Sequence, residues 1–384
     1  IVTNRDSQSE FLSEIQTSQV QPIEPVFVDY KKDMSQFEAQ PGIDVLYKKN
    51  ETNDIFTLIY VFNTGTENDP ALNLAFNYLS YLGTDKMTAE EIASEMYDIA
   101  CSFYMNAGAN QSSIQITGLS ENMGKAMEIV EGLIAGAKPD EAILENLKGD
   151  MLKSRADAKL NQSRCFGALQ RYLFYGGDFI RRTTLTDPAL QALTSEQLLA
   201  KIGGLMGKQH EVLYYGPQKE TEIKSALAEH HKVAADLQPL EKKFSALLPT
   251  DANKVVLAQY DAKQLYYLQF SNRGEKFDVA ADPEITLYNE YFGGGMNTIV
   301  FQEMREARGL AYSAWATLAT PSNANGDYSY YAFIATQNDK MQKAVEAFDD
   351  IINNMPESEK AFGIAKEALV SRLRTERTDR KSVV

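Results

Sequence analysis

Ile55-Phe-Thr-Leu-Ile-Tyr-Val-Phe62 runs into Asn63-Thr-Gly65, and Leu265-Tyr-Tyr-Leu-Gln-Phe270 runs into Asn272-Arg-Gly274. Both stretches are rich in β-branched and aromatic residues and stop at turn formers, so both read as strands entering a turn. They are the first terms of a collinear series. Tyr78-Leu-Ser-Tyr81-Leu-Gly83 is matched by Tyr288-Asn-Glu-Tyr291-Phe-Gly293, and Glu95-Met96 with Tyr104 by Glu303-Met304 with Tyr312. Met123-Gly-Lys125-Ala126 then pairs with Met341-Gln-Lys343-Ala344, and Leu152-Lys-Ser-Arg155 with Leu369-Val-Ser-Arg372. The order never breaks, and one insertion of about ten residues has a natural home in the loop Thr320-Pro-Ser-Asn-Ala-Asn-Gly326. Single matches of this kind are noise; a series in constant order predicts an internal repeat.

Each copy carries the same grammar: strand, helix, glycine, second helix, another strand, then a helical pair. Met341, Val345, Phe348, Ile352 and Met355 fall on one face at helical period, as do Met123, Met127, Val130 and Ile134. Pro139 and Pro356 mark the starts of further helices. Ser112-Ser-Ile-Gln-Ile-Thr117 alternates as a half-buried strand, with Tyr328 to Thr336 as its counterpart. The expectation is an α+β chain of two repeated domains, helices packed on largely antiparallel sheets, the second copy truncated. The boundaries read are 1–39 as a linker or N-terminal extension, 40–217 as the first domain, 218–254 as an interdomain linker and 255–384 as the second domain. The Ile1 start, the polar stretch Thr3 to Glu10 and the helical run into Arg377–Val384 read as a piece of a longer polypeptide.

Composition narrows the partners. A chain of 384 residues with 44% hydrophobic and 24% charged residues has the mixture of a folded protein with more than one domain. The formal charge of −15, from 38 Lys and Arg against 53 Asp and Glu, repels phosphate backbones, so nucleic acid is not an expected partner. No apolar run approaches the ~18 residues of a membrane-spanning helix. Two cysteines, Cys101 and Cys165, make no disulfide framework and leave the compartment open between periplasm or envelope and cytoplasm.

The metal chemistry a hydrolase would need is missing from the histidines. His210, His230 and His231 are the whole set, and none lies in His-Glu-x-x-His or His-x-x-Glu-His. The adjacent pair His230-His231 reads as helix surface, not as a metal site. Gly293-Gly-Gly295-Met-Asn precedes a helix but lacks the Lys-Ser/Thr of a phosphate loop, and reads as a turn for close packing. Beyond it comes Phe301-Gln-Glu-Met-Arg305-Glu-Ala-Arg308-Gly309-Leu-Ala-Tyr312-Ser-Ala-Trp315. Arg308-Gly309 is a helix end, and Tyr312 opens a strand. Arg305 and Tyr312 then face one cleft, as a carbonyl grip and an oxyanion donor, or they are a solvent-facing Arg and a half-buried sheet Tyr.

The stretch Gly-Gly-Met-Asn-x-x-x-Phe-Gln-Glu-Met-Arg305-x-x-x-Gly-Leu-Ala-Tyr312-Ser resembles the second-domain signature of the insulinase/pitrilysin (inverzincin) zinc metallopeptidases. The resemblance implies two metallohydrolase-like domains of the mitochondrial processing peptidase type. It also implies a partner half that holds zinc through His-x-x-Glu-His and closes with this one over unfolded or short peptides. Arg305 and Tyr312 match the substrate-contacting pair of the family's opposite half. The family's zinc motif precedes a Gly-Thr, here Gly83-Thr84, and its three positions fall on Leu74, Asn77 and Tyr78. Leucine cannot ligate a metal, asparagine cannot act as general base, and a phenol with pKa ~10 is a poor ligand at neutral pH. Asp150 and Asp157 lie where a distal carboxylate ligand would be sought. No metal is expected in this chain, and zinc is expected in the catalytic half, fused or separate. The reading is a non-catalytic C-terminal half, inactive alone. The rival reading is a degenerate family member that serves as an assembly subunit without processing peptides.

Overall fold

The structure is a computed structural model that describes residues 9–19, 21, 23–25, 27–240 and 244–376. Two short helices, α1 (Glu10–Thr17) and α2 (Tyr30–Asp33), precede a six-stranded sheet. Its strands are β1 (Ser35–Gln40), β2 (Ile43–Lys49), β3 (Ile55–Phe62), β4 (Cys101–Ala107), β5 (Ser112–Leu119) and β6 (His210–Gly216). Helices α3 (Leu72–Leu79) and α4 (Ala89–Asp98) join β3 to β4. Between β5 and β6 run α5 (Met123–Gly136), α6 (Glu141–Lys159), α7 (Gln162–Thr183), α8 (Asp187–Ala192) and α9 (Ser195–Leu205), and α10 (Glu220–His230) follows β6. A second sheet holds β7 (Gln264–Ser271), β8 (Ser313–Ala319) and β9 (Ser329–Gln337). Around it lie α11 (Asp282–Phe292), α12 (Ile299–Phe301), α13 (Met341–Asn353) and α14 (Glu359–Thr375).

The first sheet runs β1-β2-β6-β3-β5-β4, and every neighbouring pair is antiparallel except β2 with β6. The second runs β7-β9-β8, fully antiparallel. Within it the order of first, third and second strand is the order of β3-β5-β4 in the first sheet. Alternation does the sorting: Phe56, Leu58, Tyr60 and Phe62 of β3 are buried with Val212 and Tyr214 of β6, while Thr57 and Ile59 stay half-buried on the other face. The apolar stripes of α3, α5 and α9 close this first core. A second core gathers Phe292, Val300, Met304, Ala332, Ile334 and Phe348. Local signals agree with these elements. Thr88 and Glu91 form a capping box on α4, Asp140 caps α6 after Pro139, and Ser358 caps α14 after Pro356.

Helix α7 packs its aromatic side chains on the second sheet, and near its end Arg182 donates to the Glu67 carbonyl in the loop after β3. Phe166 meets the rings of Tyr266 and Phe333 at 5.5 and 5.8 Å, and Phe174 meets Phe270 and Tyr331 at 4.7 and 5.2 Å. These distances suit edge-to-face and tilted aromatic packing. Gly176, at φ 81°, kinks α7 just after Phe174.

Three expectations need correction. The sheet begins at Ser35, inside the stretch read as an extension, because Phe37 packs on the core and β1 pairs with β2. The stretch read as linker contains α10, whose Ile223 and Leu227 belong to the first core. His231 is not surface: it caps α10 instead of continuing it, and its side chain is fully buried. Only His230 of that pair keeps some exposure. The readings placed on residues 1–8 and on Arg377–Val384 lie outside the described residues.

Candidate functional site

Gly293 begins the site. Its N–H donates to the Asn289 carbonyl, and its own carbonyl accepts the Ala316 N–H of β8 at 2.9 Å. A Cβ on Gly293 would lie 1.8 Å from the Ala316 carbonyl oxygen, so only glycine lets α11 end this close to the strand. Asn289 completes the seam: its side-chain amide donates to the Leu318 carbonyl and accepts the Leu318 N–H, both at 2.9 Å. The glycine run is therefore the close-packing turn expected from its residues.

The chain re-enters a helix at Thr298, and after α12 it widens into a π-helical turn, Gln302–Ala307. Such turns add a residue per loop of helix and are common at functional sites. Here the turn buries Met304, whose carbonyl accepts both Leu310 N–H and Ala311 N–H. Gly309, at φ +57°, reverses the chain and donates to the Arg305 carbonyl at 3.2 Å. Tyr312 then pairs its N–H with the Ala335 carbonyl of β9.

This route brings Arg305 and Tyr312 together. The Arg305 guanidinium carbon is 5.0 Å from the centroid of Tyr312 and 5.0 Å from that of Phe301, a cation–π sandwich. Arg308 is occupied elsewhere, with Glu303 at 3.4 Å and Asp350 at 3.5 Å. Among the described residues, the carboxylate nearest Arg305 is the neighbouring Glu306, at 3.7 Å. Both Arg305 and Tyr312 line a hollow of about 430 Å³ with Asn289, Met296, Phe301 and Trp315. Tyr312 is 72% exposed, so its hydroxyl is open to a ligand, and the half-buried sheet alternative does not hold. The grouping offers a fixed cation and a phenol donor on an apolar floor, which suits a polarised carbonyl flanked by apolar groups.

The three positions onto which the resemblance placed the zinc motif are separated by environment. Leu74 sits in the first core, Asn77 faces solvent, and Tyr78 is fully buried. The Tyr78 hydroxyl donates to Ser195 Oγ at 2.8 Å and accepts the Asp140 N–H at 2.7 Å. It thus fastens α3 to the starts of α6 and α9. Asp150 and Asp157 are both exposed on α6. Among the described residues no three His, Cys, Asp or Glu side chains are grouped as a metal site.

Sequence reasoning missed Asn289, Phe301 and the buried set His210, His231, Glu131 and Tyr60. The last had a signal. Glu131 falls within the buried stripe of α5, beside Val130 and Ile134, where a carboxylate needs a partner.

Residues 209–369 match the peptidase M16 inactive domain. The matched span includes Arg305 and Tyr312, and the resemblance to insulinase-type zinc peptidases is borne out. An uncharacterized zinc protease of Streptomyces coelicolor is 23% identical over 266 residues, covering 64% of this chain and 56% of its own. The chain thus spans little more than half the length of that relative. A peptidase M16 inactive domain from Pseudomonas fluorescens superposes with a TM-score of 0.69 at 17% identity, covering 90% of this chain and 85% of that one. The ferredoxin protease FusC, solved in complex with Arabidopsis ferredoxin, gives 0.67 at 12% identity, covering 95% of this chain but 41% of its own. The M16 fold is common to these two structures and this chain. Among the described residues no helix is long and apolar enough to cross a membrane.

Proposed function

We propose that this chain is the non-catalytic half, or partner subunit, of an insulinase-like zinc peptidase. It closes over an unfolded or short peptide and supplies Arg305 and Tyr312 to the site of the zinc-bearing half. The observation that carries the reading is the convergence of Arg305 and Tyr312 on one open hollow at the end of a π-helical turn. Three further facts support it. The chain covers most of an M16 inactive domain but under half of a longer M16 protease. Leu74, Asn77 and Tyr78, onto which the resemblance placed the zinc motif, are packed or solvated as ordinary fold residues. The strand order β3-β5-β4 recurs in β7-β9-β8, as two copies of one domain would require.

In this reading zinc, held by the other half, supplies a Lewis acid and an activated water. This chain supplies position and charge. The Arg305 guanidinium, held between two rings, donates to a peptide carbonyl and orients the chain. The Tyr312 phenol donates a hydrogen bond to the oxyanion that forms at the scissile carbonyl. The peptide lies partly as an added strand on a sheet edge, where main-chain pairing tolerates many sequences. The overall charge of −15 adds a weak preference for cationic peptides.

The test is peptide cleavage by the zinc-bearing half reunited with this chain, wild type against Tyr312→Phe. Loss of one oxyanion donor lowers turnover on the order of 100-fold. An unchanged rate would return Tyr312 to a structural role and favour an assembly subunit.

A further inference from the structure

Polar side chains from four elements meet inside the first core, away from anything the proposed function uses. His210, the first residue of β6, is 4% exposed, and His231, the cap of α10, is 3% exposed. Their Nε2 atoms are 2.8 Å apart. His210 Nδ1 lies 2.8 Å from the Lys208 carbonyl oxygen, and His231 Nδ1 lies 2.7 Å from Glu131 Oε1 on α5. Tyr60 of β3 donates its hydroxyl to the same Glu131 oxygen at 2.9 Å, and the Lys232 N–H donates to Glu131 Oε2 at 2.6 Å. Tyr60 packs its ring 4.3 Å from that of His231, and Phe62 packs 4.7 Å from that of His210.

Hydrogen-bond accounting fixes the protons. A backbone carbonyl only accepts, so His210 Nδ1 carries a proton and, in the neutral ring, Nε2 is bare. The facing His231 Nε2 must then be the donor. The remaining contact, His231 Nδ1 to Glu131, also requires a proton between its two atoms. The imidazole pair therefore tolerates only a neutral His210. A proton added to His210 Nε2 would set two N–H groups against each other across 2.8 Å, a gap too short for a water to enter.

We infer that this imidazole pair is an acid-operated latch: uptake of one proton by His210 releases His231, and with it the end of α10, from the first sheet. Burial depresses His210 to about 4 from its ordinary 6.5, in keeping with a ring that stays neutral while the latch is closed. The other charged groups around the pair are Glu128 of α5, 3.1 Å from His230 Nδ1, and Glu229, 3.8 Å from His230 Nε2. These contacts belong to His230 and not to the pair, so the slope contributed by His210 is read by removing His210 alone.

The experiment is hydrogen–deuterium exchange of residues 220–231 in the whole chain between about pH 7 and pH 4.5, divided by intrinsic exchange rates. One proton per opening makes the wild-type opening constant rise about tenfold for each pH unit below 6.5, and His210→Gln removes that slope. A flat wild-type profile, or an equal slope in the Gln variant, overturns the latch. Should the variant fail to fold, ¹⁵N spectra of the wild-type imidazoles at neutral pH decide. The latch requires His210 Nε2 to be bare and His231 Nε2 to carry the proton; a protonated His210 Nε2, or a bare His231 Nε2, overturns it.

Discussion

Tyr78 shows how one residue changes the meaning of a helix. At a position onto which the family resemblance placed the zinc motif, its phenol is fully buried and bonded to Ser195 Oγ and the Asp140 N–H. Tyr78→Phe leaves Ser195 and Asp140 without that partner and is expected to cost about 1–3 kcal/mol in urea unfolding. Leu74→Ala, in the same helix, empties core volume and is expected to cost about 2–5 kcal/mol by the same measurement. At the other site, Tyr312→Phe should leave unfolding unchanged within about 0.5 kcal/mol, because the side chain is exposed to solvent. Its predicted loss of turnover is then a loss of chemistry and not of fold.

The elements that build the hollow depend on close approach more than on apolar area. Gly293→Ala would press a methyl group into the Ala316 carbonyl, backbone against backbone. It is expected to displace α11 from β8, destabilise the second core by several kcal/mol and weaken peptide binding, checked by circular dichroism melts and titration with a labelled peptide. Helix α7 acts on a larger element. Phe174 is half-buried between Phe270 and Tyr331, so Phe174→Ala should cost about 2 kcal/mol, below the range for a fully buried Phe. Exchange protection should fall first in β7, the strand that α7 covers.

For the whole molecule the pH dependence has a definite sign. His210 has a folded value near 4 against 6.5 unfolded, so the unfolded chain binds more protons between those values. The stability His210 contributes is intact above pH 6.5, and about 3 kcal/mol of it is lost as pH falls toward 4. Urea midpoints measured from pH 7 to pH 4.5 should show that decline in the wild type and a shallower one in His210→Gln.

The α+β class, the strands at Ile55–Phe62 and Gln264–Ser271 and the helical faces of α5 and α13 were all legible in the sequence. Each is written in local chemistry: side-chain alternation, helical spacing, caps and residue type. The Arg305–Tyr312 spacing was legible too. The contact between them was not, because it depends on a π-helical turn and a left-handed Gly309 that only the packing of Met304 and β9 selects. The same holds for His231, read as surface on an assumed continuation of α10. The helix ends one residue earlier, and Glu131 from a distant helix draws the ring inside. Local periodicity determined the elements; long-range hydrogen bonds and close backbone approach decided which side chains meet.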